Sequence, residues 1–346
     1  MSNNKIVLLL GMGRSGTTWL GSILDSNPNV LYKNEPFGGF HLRYPWTPFD
    51  RRYFNLSKID TVDKVMLNNS FDIIFRDYSG FKKGHKLSFS KKFRKNNIVH
   101  EALSRLSFNN MTDQLLNKVF VEKNTSEVLF VLKEVRMLSE LLEYYSSDES
   151  FEIIYQFRNP FSFYNSIVSN DIYTKGRLDA LIKTRIRRIN EVYSDGHNKI
   201  ENISIFINLI EKYLETNKSM IFVIYWCVMN EYYFNKYSDI NNVYFNKFED
   251  LAVETKGVVE RIFDKLNLNL TEQTKKFIES STEKENEHSN ETKSRKGYYQ
   301  SVKKDSGVVI NKWKNKLSDS DKEIISEIVS HSNFYQEFYN NSVKTE

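Results

Sequence analysis

Four short clusters in this chain have residue types and spacings that suit chemistry on an anion. The first is Gly11-Met12-Gly13-Arg14-Ser15-Gly16-Thr17-Thr18, which follows the aliphatic run Ile6–Leu10 and precedes a helical pattern of Trp19, Leu20, Ile23 and Leu24. Strand, glycine-rich loop and helix together cradle a phosphate, because successive backbone N–H groups and the helix N-terminus converge on one anion. An NTP-binding loop of this kind carries lysine and Ser/Thr after its last glycine. Here Thr17 and Thr18 stand there, and the positive charge sits inside the loop at Arg14. A kinase reading lacks the lysine that reaches the β/γ-phosphates, and no acidic residue directly ends an apolar strand to hold a metal. A dinucleotide-binding turn needs a third glycine in G-x-G-x-x-G, and the spacing after Gly16 fails.

The second cluster is Gln156-Phe157-Arg158-Asn159-Pro160 with Ser166 eight positions after the arginine. Arginine offers a planar, bidentate fork to a phosphate, and a serine on the following helix adds a hydroxyl near the positive end of the helix dipole. The third, Lys133-Glu134-Val135-Arg136, ends the apolar run Val128–Leu132 with two cations. The fourth is Glu35, in Asn34-Glu35-Pro36 just past the loop helix. A carboxylate there suits a general base, which must lie within hydrogen-bond reach of an attacking hydroxyl.

The elements around these clusters read as strand and helix in alternation. A strand over Lys5–Leu10 leads through the loop to a helix over Thr17–Ser26, closed by Asn27-Pro28, and a short apolar piece, Val30-Leu31-Tyr32, precedes Glu35. Val128–Leu132 predicts a second strand with a helix over Met137–Tyr145, and Phe151–Gln156 a third, passing into a helix with Tyr164, Ile167 and Val168. Such alternation predicts parallel βαβ units, whose ligands sit outside the carboxyl ends of the strands. Arg14, Lys133, Arg136 and Arg158 all fall at such ends. The expected fold is therefore α/β, P-loop-like and three-layered, with a central parallel sheet flanked by helices plus helical insertions. Residues 177–238 read as almost wholly helical, Val243–Phe245 as a fourth strand, and Glu249-Asp250-Leu251 as the cap of a helix over Val253–Leu266. Ser280–Lys304 reads as a charged loop, and a terminal amphipathic helix over Ser320–Ser330 closes a single domain spanning 1–346.

Composition narrows the partners. Aromatics reach 14%, with 25 Phe and 20 Tyr, so the core and any cleft should be aromatic. The net charge of +5 is modest and scattered, which fits a small anionic ligand better than a nucleic-acid platform with its concentrated basic stripe. The runs Lys91-Lys92-Phe93-Arg94-Lys95 and Arg185-Ile186-Arg187-Arg188 read as solvated faces. One cysteine, Cys227, excludes an intrachain disulfide and a Cys-rich metal site. It lies in the longest apolar run, Ile221–Met229, which is too short to span a bilayer, and core packing is the expected use of the aromatic stretch 221–237. With no transmembrane segment and no room for a signal peptide before the first strand, a cytoplasmic protein is expected.

The loop, the Arg158–Ser166 pair and their separation resemble the donor site of sulfotransferases that use 3′-phosphoadenosine 5′-phosphosulfate (PAPS). The resemblance implies that Arg14 contacts the phosphosulfate. Ser15, Gly16, Thr17 and Thr18 would hold the 5′-phosphate through backbone amides and the threonine hydroxyls. Trp19 matches a position that stacks on adenine in some members, and Arg158 with Ser166 would bind the 3′-phosphate. Arg295-Lys296-Gly297 is similar to the segment that closes over that phosphate in cytosolic members, and Trp313-Lys314 to a tryptophan common near the carboxyl end.

Lys133-Glu134-Val135-Arg136 resembles the Lys-x-x-Arg segment of carbohydrate sulfotransferases acting on galactose, N-acetylgalactosamine or N-acetylglucosamine. Lys133 would neutralise the transferring sulfonate or the acceptor, and Arg136 would orient either. The members that act on small phenols and steroids place a histidine base in a Lys-Thr-His segment, which is absent here. Carbohydrate members place a glutamate in a Glu-Pro pair after an Asn/His-Pro turn, and Asn27-Pro28…Asn34-Glu35-Pro36 reproduces that layout. Glu35 is thus the implied base, with Glu134 and His41 as alternatives, and His41 also a candidate acceptor contact. Lys247-Phe248-Glu249-Asp250-Leu251-Ala252 is similar to a segment of the carbohydrate class with a structural role.

The motifs cover 5–36, 128–170 and 243–318, leaving the insertions 38–124 and 171–240 for acceptor recognition. The implied activity is metal-free transfer of the sulfuryl group from PAPS to a carbohydrate hydroxyl, in an oligosaccharide, polysaccharide or glycolipid, releasing 3′-phosphoadenosine 5′-phosphate (PAP). Two other readings stay open: a nucleotide or small-molecule kinase with a degenerate loop, and a catalytically silent nucleotide- or glycan-binding protein of the same fold.

Overall fold

The computed structural model describes residues 5–36, 68, 71, 74, 128–169, 178–194, 200–282 and 310–340. In chain order its main elements are β1 (Ile6–Leu10), α1 (Thr17–Asp25), β2 (Val30–Asn34), β3 (Leu129–Glu134), α2 (Leu138–Tyr145), β4 (Phe151–Phe157), α3 (Pro160–Val168), α4 (Leu178–Ser194), α5 (Ile203–Thr216), α6 (Ile221–Tyr237), β5 (Val243–Lys247), α7 (Phe248–Val253), α8 (Thr255–Lys265), α9 (Glu272–Thr282) and α10 (Asp319–Ser330). The strands lie in the order β2-β3-β1-β4-β5, and the pairings β2–β3, β3–β1 and β1–β4 are all parallel. This is the expected α/β, P-loop-like architecture of a central parallel sheet with helices.

The chain divides into two compact units, Met1–Gln156 with Asp250–Val309 and Phe157–Glu249 with Ile310–Glu346. In the first, β1 is buried at all five positions, as its unbroken aliphatic run requires of a central parallel strand. Its register sets Leu10 beside Glu134 on one side and Tyr155 on the other, so β1 and β3 end level and β4 runs two residues further. β2 pairs with β3 in the register Asn34↔Lys133. The sequence reading held only a short apolar piece at Val30–Tyr32, because Lys33 and Asn34 interrupt its apolar character. The strand nevertheless runs through both, and β3 likewise runs on through Lys133 and Glu134.

Helix α1 buries Leu20, Ile23 and Leu24 and comes close to β2 at Gly21. A Cβ at Gly21 would meet two ring carbons of Tyr32 at 2.9 Å, and Tyr32 is itself buried with its hydroxyl on Asn34 Oδ1 at 3.1 Å. On another side α1 meets α9, a helix not foreseen in the sequence, through the Trp19 Nε1–Ser281 Oγ hydrogen bond of 3.3 Å. Gln273 Nε2 adds a bond to the Ser26 carbonyl at 2.7 Å.

In the second unit α6 is apolar on nearly every face and buried accordingly, with Phe222, Val223, Ile224, Trp226, Cys227, Val228 and Met229 all at 1% exposure or less. The aromatic stretch is core. Helices α4, α5 and α10 pack against α6. Cys227 is buried, and burial pushes its thiol well above the ordinary value, as expected of a structural cysteine. The expected helix over Val253–Leu266 is α8, while the segment before it forms a helix of its own, α7, so Glu249–Leu251 lie inside a helix and do not cap one. Ser318 caps α10, its Oγ accepting from Asp321 N at 3.1 Å.

The α1–β2 contact yields a measurable consequence. Gly21→Ala should destabilise the protein by about 1–3 kcal/mol, the usual cost of overpacking a filled core. Urea unfolding checks this; a variant as stable as wild type would show that α1 can move away from Tyr32.

Candidate active site

In the first unit, the loop after β1 is shaped by its own backbone and by β4. Ser15 N donates to the Met12 carbonyl at 3.0 Å, and Gln156 Nε2 donates to the Ser15 carbonyl at 3.1 Å. Gly11 lies against β4: a Cβ there would run into the Gln156 carbonyl oxygen and come within 2.6 Å of Ser15 Oγ and 2.9 Å of Thr17 Cγ2. Gly16, at the N-cap of α1, provides no side-chain cap, so the first amides of the helix keep their polarity for something outside it. Ser15 is 2% exposed, yet its Oγ has no hydrogen-bond partner. A buried hydroxyl left over beside an uncapped helix start fits an oxyanion arriving from outside the protein. Arg14 stands exposed in the loop with a left-handed backbone, φ 81°. Thr17 is buried and Thr18 half-buried at the start of α1.

Strand pairing brings Glu35 and Lys133 together from 98 residues apart. Because Asn34 is the register partner of Lys133, the next residue, Glu35, sits over the end of β3, and its N–H donates to the Lys133 carbonyl at 2.8 Å. Glu35 then turns with φ 43°, and its carboxylate pairs with Lys133 Nζ. The lysine side chain is 2% exposed and the glutamate 19%, so only the carboxylate end of the pair faces outward. Glu134, an alternative base in the sequence reading, is fully buried. Its Oε1 accepts from Val135 N at 2.8 Å and Arg136 N at 3.1 Å, which holds the turn after β3, while Oε2 has no partner. Glu134 is thus a positioning residue for Lys133 and the exposed Arg136.

The second unit holds Arg158 and Ser166. Asn159 caps α3, its Oδ1 accepting from Phe161 N at 3.0 Å and Ser162 N at 3.3 Å, with Pro160 opening the helix. The Arg158 guanidinium lies 4.5 Å over the Phe248 ring, and its carbonyl accepts the Trp226 indole N–H at 2.9 Å. Glu249 Oε1 accepts from Asn159 N at 3.0 Å and its Oε2 from Tyr339 Oη at 3.1 Å. Burial raises the Glu249 carboxyl, and these hydrogen bonds and the Arg158 charge oppose that rise. Ser166 is half-buried two turns into α3. Trp313 stacks on Phe161 at 4.5 Å and Ser162 Oγ donates to the Ile310 carbonyl at 3.1 Å, so the 310–315 segment docks on the same helix.

The residues that sequence reasoning missed are supports. Gln156 reads in the sequence only as a strand end, and Trp226 and Tyr339 lie 68 and 181 positions from Arg158, beyond any local pattern. Glu249 has a signal in its Phe-Glu-Asp-Leu segment, for which the sequence implies a structural role without an object; the object is the Arg158–Asn159 turn. Trp19, the candidate adenine stacker, is half-buried with its indole N–H engaged by Ser281. His41, Arg295 and Lys296 lie outside the described residues. Among the described residues no group of His, Cys, Asp and Glu could hold a metal ion, and no helix is long and apolar enough to cross a membrane.

A family model described as "Sulfotransferase domain" matches residues 4–339. Similar solved structures include the sulfotransferase domain from the curacin biosynthetic pathway, 15% identical with a TM-score of 0.46, covering 95% of this chain and 99% of that one. The sulfotransferase domain of the Synechococcus PCC 7002 olefin synthase is 14% identical with a TM-score of 0.45, covering 95% and 96%. Mouse sulfotransferase SULT7A1, complexed with PAP, is 12% identical with a TM-score of 0.39, covering 98% and 87%. Nothing about the acceptor of this chain follows from structures so distant. No curated protein matches it significantly.

Glu134 gives this arrangement a pH signature. Burial, then the nearby Glu35 charge, raises its carboxyl above the ordinary 4.5. Between that value and the raised one the folded protein binds more protons than the unfolded chain, so this group's contribution falls as pH rises. Glu134→Gln keeps an acceptor for Val135 N and Arg136 N but cannot ionise. Urea unfolding from pH 4.5 upward should therefore show wild type losing stability relative to the variant as pH rises. A constant difference would mean that Glu134 titrates normally.

Proposed function

The chain belongs to the sulfotransferase domain family, and from that premise we propose that it transfers the sulfuryl group of PAPS to a carbohydrate hydroxyl with Glu35 as general base. The observation that carries this reading is the Glu35–Lys133 pair at the level ends of β2 and β3, in the unit that also holds the anion loop. It supports a base and a cation delivered to one place by strand register. The Asn27-Pro28…Glu35-Pro36 layout supports a sugar hydroxyl as the acceptor.

The loop fits the donor's 5′ end: Ser15 Oγ, the uncapped start of α1 and the exposed Arg14 suit a phosphosulfate. PAPS supplies an activated sulfuryl group to such a site. Arg14 stabilises the charge that gathers on the breaking sulfur–oxygen bond. Arg158, stacked on Phe248 and backed by Glu249, takes the 3′-phosphate with Ser166. Glu35 removes the acceptor's proton as the hydroxyl oxygen bonds to sulfur and the bond to the 5′-phosphate breaks. In the resting protein the carboxylate is held by Lys133. Lys133 turning to the sulfonate would release Glu35 to the acceptor hydroxyl as the donor arrives.

Glu35→Gln should lower kcat by roughly 10²-fold or more, the usual range for a general base, and leave PAP affinity unchanged by calorimetry. Wild-type turnover in that variant would remove Glu35 from the mechanism. Arg158→Ala should weaken PAP by about 1.5–3 kcal/mol, as for a hydrogen bond to a charged group, and Tyr339→Phe by a smaller amount through Glu249. PAP binding indifferent to Arg158 would overturn its assignment. Transfer to small phenols or steroids, with none to an oligosaccharide panel, would overturn the carbohydrate acceptor.

A further inference from the structure

The run Arg185-Ile186-Arg187-Arg188 reads in the sequence as a solvated face, and the structure corrects this. Helix α4 buries Ile182, Ile189 and Val192. Those positions with 185 make one stripe at spacings of three, four and three, so Arg185 occupies a core-facing place normally filled by an apolar side chain. Its guanidinium carbon lies 5.6 Å from the Phe222 ring centroid and 5.4 Å from that of Tyr225, both on α6. Arg187 and Arg188 flank it, half-buried, and share one carboxylate, Glu191, at 3.4 and 3.0 Å. Among the described residues, Arg187 and Arg188 thus lean on the same acid.

Two nitrogens of this group, Arg185 Nε and Arg187 Nη2, are buried and have no hydrogen-bond acceptor. Burying a charged donor without an acceptor is costly, and native structures rarely do so without a functional reason. Aromatic rings beneath Arg185 hold its plane but provide no lone pair in that plane. What completes the cluster chemically is an oxyanion with two or three acceptor oxygens, which arginine forks recognise bidentately. Helix α4 lies within the 171–240 insertion, apart from the donor motifs. On α6 the next residue after Tyr225 is Trp226, whose indole holds the Arg158 carbonyl, so one helix supports both groups of arginines.

We propose that Arg185 and Arg187, with Arg188, form an anion-binding site that reads a carboxylate, phosphate or sulfate on the acceptor. Under the sulfotransferase reading on which this rests, the acceptor is an anionic saccharide and not a neutral one. The probes are a glucuronate-containing tetrasaccharide and its carboxyl-reduced counterpart, titrated calorimetrically into the PAP-loaded protein. The charged sugar should bind roughly tenfold or more tightly than the neutral one, and Arg187→Gln and Arg185→Gln should each remove most of that preference. PAP affinity, unchanged in both variants, reports that they fold. Equal binding of the two sugars by wild type, or a preference that survives both substitutions, overturns the proposal.

If neither sugar binds, the carbohydrate reading fails, and inorganic phosphate and glucuronate titrated alone decide the arginine site. Saturable binding of either that is lost in Arg187→Gln sustains it, and tells phosphate from carboxylate. Binding indifferent to Arg187, or no binding, overturns it.

Discussion

The contact between Gly11 and Gln156 is the constraint on which the anion loop depends. Only a residue without a side chain lets the end of β1 lie against the β4 backbone at that point, and the Gln156 amide then holds the Ser15 carbonyl. The loop's shape is therefore borrowed from the neighbouring strand and not generated by its own glycines alone. Gln156 also stands two positions before Arg158 in the chain. A single strand end both shapes the loop and leads into the second group of phosphate-binding candidates.

Buried carboxylates recur as fasteners of backbone turns. Glu134 holds the amides after β3, and Glu249 holds the amide of Asn159. Glu231, on α6, accepts from Ser332 Oγ at 3.0 Å and Phe334 N at 3.4 Å, tying the C-terminal turn to the core. In each case burial raises the carboxyl. Each thereby trades hydration for a fixed geometry, which matters most where the turn carries arginine or lysine. Position, more than intrinsic acidity, separates these three from Glu35, which keeps an outward-facing carboxylate.

Much of this was legible in the sequence because it is local. The β1–loop–α1 unit, β3, β4 and the cations at their ends follow from aliphatic runs and glycine spacing within windows of ten residues. β2 was not legible as a strand, since Lys33 and Asn34 disguise its pairing, and with it went the reason why Glu35 meets Lys133. The split between α7 and α8 at Glu254 and the docking of Tyr339 on Glu249 depend on tertiary packing that no local pattern encodes. Arg185 misled in the opposite direction: charge suggested solvent, whereas its place in the Ile182–Val192 stripe sets it half-buried over the rings of α6. Arg295 and Lys296 fall in a charge-rich segment poor in apolar periodicity and His41 in an aromatic one without a regular period, so no sequence pattern assigns them to a strand or a helix.

Arg14 and Glu35 share an unusual backbone. Both are side-chain-bearing residues in the left-handed region, at φ 81° and 43°, where an L-residue gives up roughly 1–2 kcal/mol. Glycine or asparagine would rest there more comfortably. Under the roles proposed for Arg14 and Glu35, selection for a sturdier fold and selection for sulfuryl transfer pull against each other at these two positions. A library of variants ranked on thermal tolerance alone would drift towards glycine at both, gaining melting temperature while erasing the arginine and the carboxylate. The two residues mark places where this chain has kept strain in exchange for a side chain.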